Sequence, residues 1–231
     1  YNIIGSPGYG LELKNDCRRC SISDGYTVGC LSGVAFGNDS GTSGVKFSRV
    51  TDTVVINNNA SGTGFTASYS ENNIVHGLAI DMGSTGNNAV DFLTATFGNS
   101  VTVSVKNLAS PKGAVRCRSG ASDNTFSIES LDNINSTALA AIFDSGSNDN
   151  SVVLRRMRNP IIPAAGVKAL ISDSSTGQDN RFEYEGFVTN YSTTISSGVI
   201  SINNPSVKII SVDTEAAAAT DDLDTITGHA Y

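Results

Sequence analysis

The feature that most constrains this chain is a pattern that recurs about every 26 residues. In each copy an Asn or Asp is followed by one intervening residue and then by apolar residues at alternate positions. The copies begin at Asp52, Asn72, Asn99, Asn124, Asn150 and Asn180. Self-similarity at a steady period is typical of repeat architectures, in which each unit buries its apolar face only against its neighbours.

A second set of alternating apolar residues precedes most of these Asn or Asp positions by seven to nine residues. Its inward candidates are Phe65, Val90 with Phe92, Val115 with Cys117, Ala141 with Phe143, and Ala169 with Ile171. Alternation of this kind indicates half-buried β-strands. Each period therefore predicts at least two short strands, and the many Asn, Gly, Ser and Thr residues between them suit tight corners.

Stacking the periods as coils would bring equivalent strands into parallel pairs about 4.8 Å apart and align like residues in columns. The predicted interior column is Ile74, Val101, Phe126, Val152 and Phe182. His76 is also predicted to point inward. Asn suits such corners because it tolerates left-handed geometry and its side chain can bond to the next coil.

These patterns predict an all-β fold, a right-handed parallel β-helix (a solenoid) over residues 1–211. A short acidic C-terminal segment over residues 212–231 is expected to follow it. Charged residues also lie at equivalent outward positions of consecutive coils and form three rows. The rows are Asp91 with Arg116, Arg118 with Asp144, and Glu129 with Arg155 and Glu185. We expect each set to form ion pairs along its row, because opposite charges at neighbouring exposed positions attract.

Charge and cysteine content exclude several classes of function. The formal net charge is −7 and the pI is about 4.7, which argues against a nucleic-acid-binding surface and against binding to anionic membranes. No apolar run is long enough to insert into a membrane. Cys17 and Cys20 have the C-x-x-C spacing, but no second pair completes a zinc site. We expect the cysteines to be small buried residues, with one disulfide left open, and we predict no metal or cofactor.

After Ile210 the β alternation stops, and Val212–Gly228 reads V-D-T-E-A-A-A-A-T-D-D-L-D-T-I-T-G. This stretch resembles the acidic segment T-x-x-A-A-x-x-D-D-L-D-T-I-x-G that follows the β-helix in phage tail fibre and tailspike proteins, whose solenoids are pectate-lyase-like. In that family the segment leads into a further β-rich module. The resemblance therefore implies that residues 212–231 are a linker or the start of a truncated module.

The resemblance also implies a role. It suggests a structural protein of a bacteriophage tail spike or tail fibre, extracellular on the virion surface, that recognises a host surface polysaccharide. Such a protein is expected to be a homotrimer and to contact other virion tail proteins. Two alternatives remain open from the sequence: a polysaccharide depolymerase, either a glycoside hydrolase or a lyase, and a cellular adhesin or surface-filament subunit.

Candidate catalytic residues follow from the depolymerase alternative, because glycoside hydrolysis uses two carboxyl groups that flank the sugar. Asp91 and Asp144 are predicted to project from one face of one strand stack, and Asp173 lies at the end of the next strand. The other interpretation is structural, with Asp91 and Asp144 paired to Arg116 and Arg118, and with Asp173 a corner residue. The sequence leaves open whether the chain is an enzyme.

Candidate glycan-binding residues are aromatic or cationic. Tyr184 and Tyr191 are predicted to form a lateral patch near Phe187, although a role in the core or in a subunit interface fits them as well. Arg116 and Arg118 are the cationic candidates, because guanidinium groups can donate several hydrogen bonds to a polar ligand.

Overall fold

The computed structural model describes residues 2–37, 44–56, 62–83, 87–109, 111–132, 138–158, 171–175 and 179–185, together with four short strands further along the chain. Within these residues every regular element is a β-strand and none is a helix. In chain order the strands are β1 (Asn2–Ile4), β2 (Tyr9–Leu13), β3 (Ser21–Ser23), β4 (Tyr26–Val28), β5 (Ser32–Phe36), β6 (Arg49–Thr51), β7 (Val54–Ile56), β8 (Thr63–Ala67), β9 (Ile74–Asp81), β10 (Val90–Phe92), β11 (Thr96–Phe97), β12 (Ser100–Lys106), β13 (Gly113–Cys117), β14 (Ala121–Ser122), β15 (Thr125–Asp132), β16 (Leu139–Phe143), β17 (Ser151–Leu154), β18 (Met157–Arg158), β19 (Ile171–Asp173), β20 (Arg181–Tyr184), β21 (Tyr191–Thr194), β22 (Val199–Ile202), β23 (Ile210–Asp213) and β24 (Thr225–Gly228).

Parallel pairing between successive coils builds the stack. Sheet 1 has 11 strands, with the main path β1-β4-β7-β9-β12-β15-β17-β20, and sheet 2 has 7 strands in the order β19-β16-β13-β10-β8-β5-β2. Neighbouring strands in both sheets are parallel. The chain is thus a parallel β-solenoid of about 6 turns, which confirms the predicted fold class.

Two further parallel pairs lie beyond residue 185. Strand β21 pairs with β23, and β22 pairs with β24. Strand β23 spans the predicted boundary at residue 211, and β24 lies within the 212–231 segment. Residues 214–224 are outside the described residues, so the division of the chain at 211 stays a prediction.

The interior is a set of apolar columns, as predicted. Consecutive register partners in sheet 1 are Val101, Phe126, Val152 and Phe182. Consecutive partners in sheet 2 are Phe65, Val90, Val115 and Ala141. All of these are fully buried except Phe182, which is partly buried against the core. Because each column stacks like residues from different coils, no single coil could bury this surface alone.

Aromatic rings also connect the two sheets across the interior. Phe36 contacts Phe65 with ring centroids 5.2 Å apart, Phe65 is 6.0 Å from Phe92, and Phe92 is 4.8 Å from Phe126. The first and last of these contacts are edge-to-face, the geometry that aromatic quadrupoles favour. These rings fill the space between the sheets at successive levels.

The sheet 1 column differs from the prediction at its first member. Val75, not Ile74, is the register partner of Val101, and Ile74 is 44% exposed. His76 is exposed too, so the prediction that it points into the core is wrong. The reason is that this repeat begins at Asn73 rather than Asn72. A shift of one residue along a strand moves every side chain to the opposite face.

Two other positions are shifted for related reasons. Ser48, not Asp52, is equivalent to Asn73 in the preceding coil, since the Ser48 amide donates to the Asn73 side chain. Ile171 stacks on Ala141, and Asp173 occupies the position that was predicted for Ile171, beside Phe143. Ala169 lies outside the described residues.

A ladder of asparagines runs along the stack, just before the strands of sheet 1. Its members are Asn73, Asn99, Asn124, Asn150 and Asn180. The carboxamide nitrogens of the first four members each donate to the carboxamide oxygen of the next member at 2.9 Å. All five carboxamide nitrogens also donate to a backbone carbonyl of the preceding coil at 2.8–3.2 Å. This confirms that Asn bonds to the neighbouring coil, and it satisfies polar groups that are buried.

A left-handed corner precedes the ladder residues Asn73, Asn99, Asn124 and Asn150, and also precedes Cys20 and Ser48 in the two coils before them. The residues that form it are Arg19, Phe47, Asn72, Gly98, Asp123 and Asp149, all with φ between 51° and 65°. Asn, Asp and Gly adopt this conformation with little strain, whereas a bulky residue such as Phe47 does so rarely. The corner turns the chain into sheet 1 from a short third face, which consists of β11, β14 and the equivalent isolated bridges of neighbouring coils.

The cysteines fall into two kinds. Cys17 and Cys20 form a disulfide across the first left-handed corner, whereas Cys30 and Cys117 are free and buried. The expectation of small buried cysteines therefore holds for Cys30 and Cys117. The C-x-x-C pair instead closes a tight turn covalently.

The ladder predicts a large loss of stability on substitution of a central rung. Asn124→Ala removes four hydrogen bonds and leaves the buried backbone amide of Asn99 without its acceptor. We expect the free energy of unfolding to fall by about 3 kcal/mol or more, measured by urea denaturation. Asn72→Gly is the matched control: Asn72 is exposed and left-handed, so its loss should change stability by less than about 0.5 kcal/mol. Equal losses in the two variants would contradict the role of the ladder.

The cysteine arrangement predicts a specific thiol titration. Burial raises the pKa of the Cys117 thiol, and the nearby Asp91 and Asp144 raise it further, so this thiol should not react at neutral pH. We expect the native protein not to react rapidly with a disulfide reagent such as DTNB. Two thiols per chain should react in denaturant, and four should react in denaturant after reduction of the disulfide. Rapid reaction of the native protein would show that the two free cysteines are accessible.

Candidate functional site

The charged candidates from the sequence analysis come together on the outer side of sheet 2. Asp91 lies in β10 and Arg116 in β13, while Arg118 and Asp144 directly follow β13 and β16. Because β10, β13 and β16 are parallel neighbours with aligned registers, these four side chains lie next to each other. We call these four residues the charged strip.

Arg118 and Asp91 form the most buried ion pair of the strip. The guanidinium is bidentate, with Nε 2.8 Å from Asp91 Oδ1 and Nη2 2.7 Å from Oδ2. The Asn88 side chain donates to the same Oδ2 at 3.1 Å. The Asp91 side chain is only 3% exposed, against 38% for Arg118. Hydrogen bonding to Asp91 raises the pKa of the Arg118 guanidinium, which therefore stays charged.

Arg116 and Asp144 form the second pair. Arg116 Nε lies 2.9 Å from Asp144 Oδ2, and its Nη2 lies 2.8 Å from the same oxygen. Both side chains are about a third exposed or less. The pairs therefore differ from the in-row expectation of Asp91 with Arg116 and Arg118 with Asp144. The long arginine side chains reach diagonally across the strands instead of along their own rows.

This arrangement limits what the aspartates can do chemically. Both Asp91 oxygens are occupied and almost no part of the side chain reaches solvent, so Asp91 cannot contact a substrate without breaking a bidentate pair. Asp144 is more accessible but is held by Arg116. What the strip presents outward is mainly the guanidinium edges of two arginines, which donate hydrogen bonds in a fixed geometry.

Asp173 lies at the end of β19 and is exposed. Its Oδ1 accepts hydrogen bonds from the Ser175 amide at 2.9 Å and from the Ser175 hydroxyl at 2.5 Å. These bonds are those of a side chain that closes a turn on its own backbone.

The tyrosine candidates are placed differently from one another. Tyr184 continues the Leu154 register at the end of β20 and is half-buried against the core. Burial raises the pKa of the Tyr184 hydroxyl, and a backbone hydrogen bond with Met157 partly offsets this. Tyr191 is the first residue of β21, but its side chain, like Phe187, lies outside the described residues.

Three exposed apolar side chains at the left-handed corner were not among the sequence candidates. Phe47 is 55% exposed, Phe97 42% and Ile74 44%. They lie in three consecutive coils at or beside the same corner, and we call the two phenylalanines, Phe47 and Phe97, the aromatic corner. Aligning Lys46-Phe47-Ser48 with Glu71-Asn72-Asn73 would have placed Phe47 at the outward corner. The repeat pattern does not indicate this alignment, because Asp52 matches the pattern and Ser48 does not.

A groove of about 180 Å³ marks the outer face of sheet 1. One of its rows contains Val54, Ala79 and Ser104, and the next contains Asp81 and Lys106. Burial raises the pKa of Asp81, but hydrogen bonds from Asn107 and the Gly83 amide, with the Lys106 ammonium, outweigh it and lower the pKa overall. Asp81 therefore remains ionised and paired to Lys106 at 3.0 Å.

Outer rows of sheet 1 also carry the third predicted charge series, and here the prediction is confirmed. Arg155 Nε lies 3.1 Å from a Glu129 oxygen, and Arg155 Nη1 lies 2.6 Å from a Glu185 oxygen. All three side chains are more than 40% exposed. Exposed pairs of this kind contribute little stability, so this row serves as a reference for the charged strip.

Among the described residues, no group of three or more His, Cys, Asp or Glu side chains could hold a metal ion. The same part of the chain contains no helix long and apolar enough to cross a bilayer. Comparison of the chain with known protein families, with curated proteins and with solved structures found no match.

The burial of Asp91 predicts strong coupling within its ion pair. In a double-mutant cycle of Asp91→Asn and Arg118→Met, we expect a coupling energy of about 2 kcal/mol, discounted for the partial exposure of Arg118. The same cycle with Glu129→Gln and Arg155→Met is the exposed control and should give about 0.5 kcal/mol or less. Both are measured as free energies of unfolding. Similar coupling in the two cycles would contradict the distinction between them.

Proposed function

We propose that this chain is the solenoid part of a bacteriophage tail spike or tail fibre, a structural protein that recognises a host surface glycan on its outer face. Three features support the proposal. The chain is a parallel β-solenoid, its outward side chains repeat along the stack, and residues 212–228 resemble the segment that follows the β-helix in tail proteins.

The charged strip is the observation that carries the glycan part of the proposal. Its carboxylates are paired to arginines, so the strip offers oriented hydrogen-bond donors rather than a free acid and a free base. A linear glycan is a repeating ligand with many hydroxyl groups. A rigid surface that holds two arginines side by side on one coil can donate hydrogen bonds to neighbouring hydroxyl groups, because little ordering of the protein is needed on binding.

The proposed assembly is a homotrimer on the virion surface, joined to other tail proteins. Association of copies around an axis parallel to the stack would bring the outer faces of neighbouring chains together. Measurement of the native mass tests this point directly, since a trimer has three times the 24.0 kDa of the chain.

A polysaccharide depolymerase is the second candidate function. Asp144 and Asp173 favour it, because both are accessible to solvent and follow or end neighbouring strands β16 and β19 of sheet 2. A pair of carboxyl groups on adjacent coils is the minimum that glycoside hydrolysis needs.

A glycan array read together with product analysis distinguishes the two functions. We expect the full chain to bind one or more bacterial capsular or O-antigen oligosaccharides, without releasing fragments detectable by mass spectrometry. Arg116→Ala should weaken binding roughly tenfold, whereas Arg155→Ala, an exposed arginine of sheet 1, should leave it unchanged. New fragments that disappear in Asp144→Asn or Asp173→Asn would replace the proposal with the depolymerase. Absence of both binding and fragments would overturn both.

A further inference from the structure

Phe47 occupies a position that disfavours it twice. At φ 52° a bulky residue is strained, and Phe47 is 55% exposed to water. Later coils place Asn72, Gly98 and Asp123 at the same corner, all residues that suit a left-handed backbone. Strained backbone that persists without a packing benefit is concentrated at functional sites, which makes Phe47 a candidate for binding.

Phe97 provides a second exposed ring nearby. It lies two coils further along the stack, in the row next to that of Phe47, and is 42% exposed. Two coils correspond to a separation of about 10 Å along the axis. The two rings thus form a pair that is offset in the direction of the solenoid, with one coil between them.

The intervening coil supplies polar groups. Glu71 forms an ion pair with Lys46 of the preceding coil, and its other oxygen accepts a hydrogen bond from the Asn72 side chain at 3.3 Å. Asn72 itself is exposed. Two apolar rings separated by carboxamide, carboxylate and ammonium groups make an alternating surface, apolar and then polar, along the axis.

We propose that the aromatic corner is an oligosaccharide-binding platform, in which Phe47 and Phe97 stack on the C–H faces of sugar rings. Asn72, Glu71 and Lys46 hydrogen-bond to hydroxyl groups between them. The ligand is a glycan chain lying along the solenoid axis. This inference rests on the proposed function and adds a second contact area to it, around the corner from the charged strip.

A second copy of this chain is a poorer occupant of the same surface. A stable protein interface buries about 800 Å² on each partner and has an apolar centre. Here three apolar side chains stand apart among Lys46, Glu71 and Asn72, which is too little apolar surface for such a centre. Sugars need only isolated ring faces with hydroxyl partners beside them.

Four single substitutions test the platform by calorimetry on the array oligosaccharide that the unmodified chain binds most strongly. Phe47→Asn and Phe97→Ser introduce residue types found at the equivalent corner positions, Asn72 and Ser122, and each should weaken binding roughly three- to tenfold. Phe47→Tyr keeps the ring and should keep the affinity. Ile74→Ser removes exposed apolar surface without removing a ring, and should leave the affinity unchanged. Phe47→Asn should also raise the thermal midpoint or leave it unchanged, since it relieves strain.

The outcomes separate the platform from the proposed function. Binding that survives in both Phe47→Asn and Phe97→Ser would overturn the platform while leaving glycan recognition intact. A lower thermal midpoint for Phe47→Asn would also overturn it, because the ring would then be part of the folded core. Equal loss of oligomer mass in Phe47→Asn and Ile74→Ser would identify the corner as a protein interface instead. Failure of the unmodified chain to bind any glycan would overturn the proposed function and the platform with it.

Discussion

The stacking of one coil on the next, in a fixed register, is the constraint on which this structure depends. Backbone hydrogen bonds between parallel strands hold the coils together, but by themselves they tolerate slippage along the strands. The asparagine ladder removes that freedom, because each carboxamide bonds to the next rung and to a carbonyl of the preceding coil. A slip of one residue would leave buried amides unpaired at every level.

Fixed register also determines which side chains lie next to each other on the outer surface. Side chains at equivalent positions of successive coils lie next to each other, as in the charged strip and in the exposed row around Arg155. The strands hold them there, so no loop has to become ordered first. The strip neutralises its carboxylates internally and turns two guanidinium groups outward. Acid–base catalysis by Asp91 would therefore require this buried pair to open.

Much of the fold could be predicted from the sequence because the period is long, regular and rich in corner residues. The columns through Phe126 and Val90 were placed correctly for this reason. The errors arose where two Asn residues are adjacent, at Asn72 and Asn73, and where Ser48 replaces Asn in the ladder. There the pattern does not indicate which residue is the buried rung. A predicted register that is shifted by one residue places Ile74 and His76 inward, whereas both are exposed in the structure.

The sequence by itself determined the parallel all-β stack, because the alternation of apolar and polar residues and the shared period recur in every copy of the repeat. It also determined that Asp91 and Asp144 would meet arginines. Only the tertiary structure decided which arginine each one meets, since the reach of a guanidinium across strands depends on the packing around it. The tertiary structure likewise decided that Phe47 and Phe97 face solvent. The face that an aromatic residue occupies depends on the register of its coil, and buried hydrogen bonds to neighbouring coils fix that register.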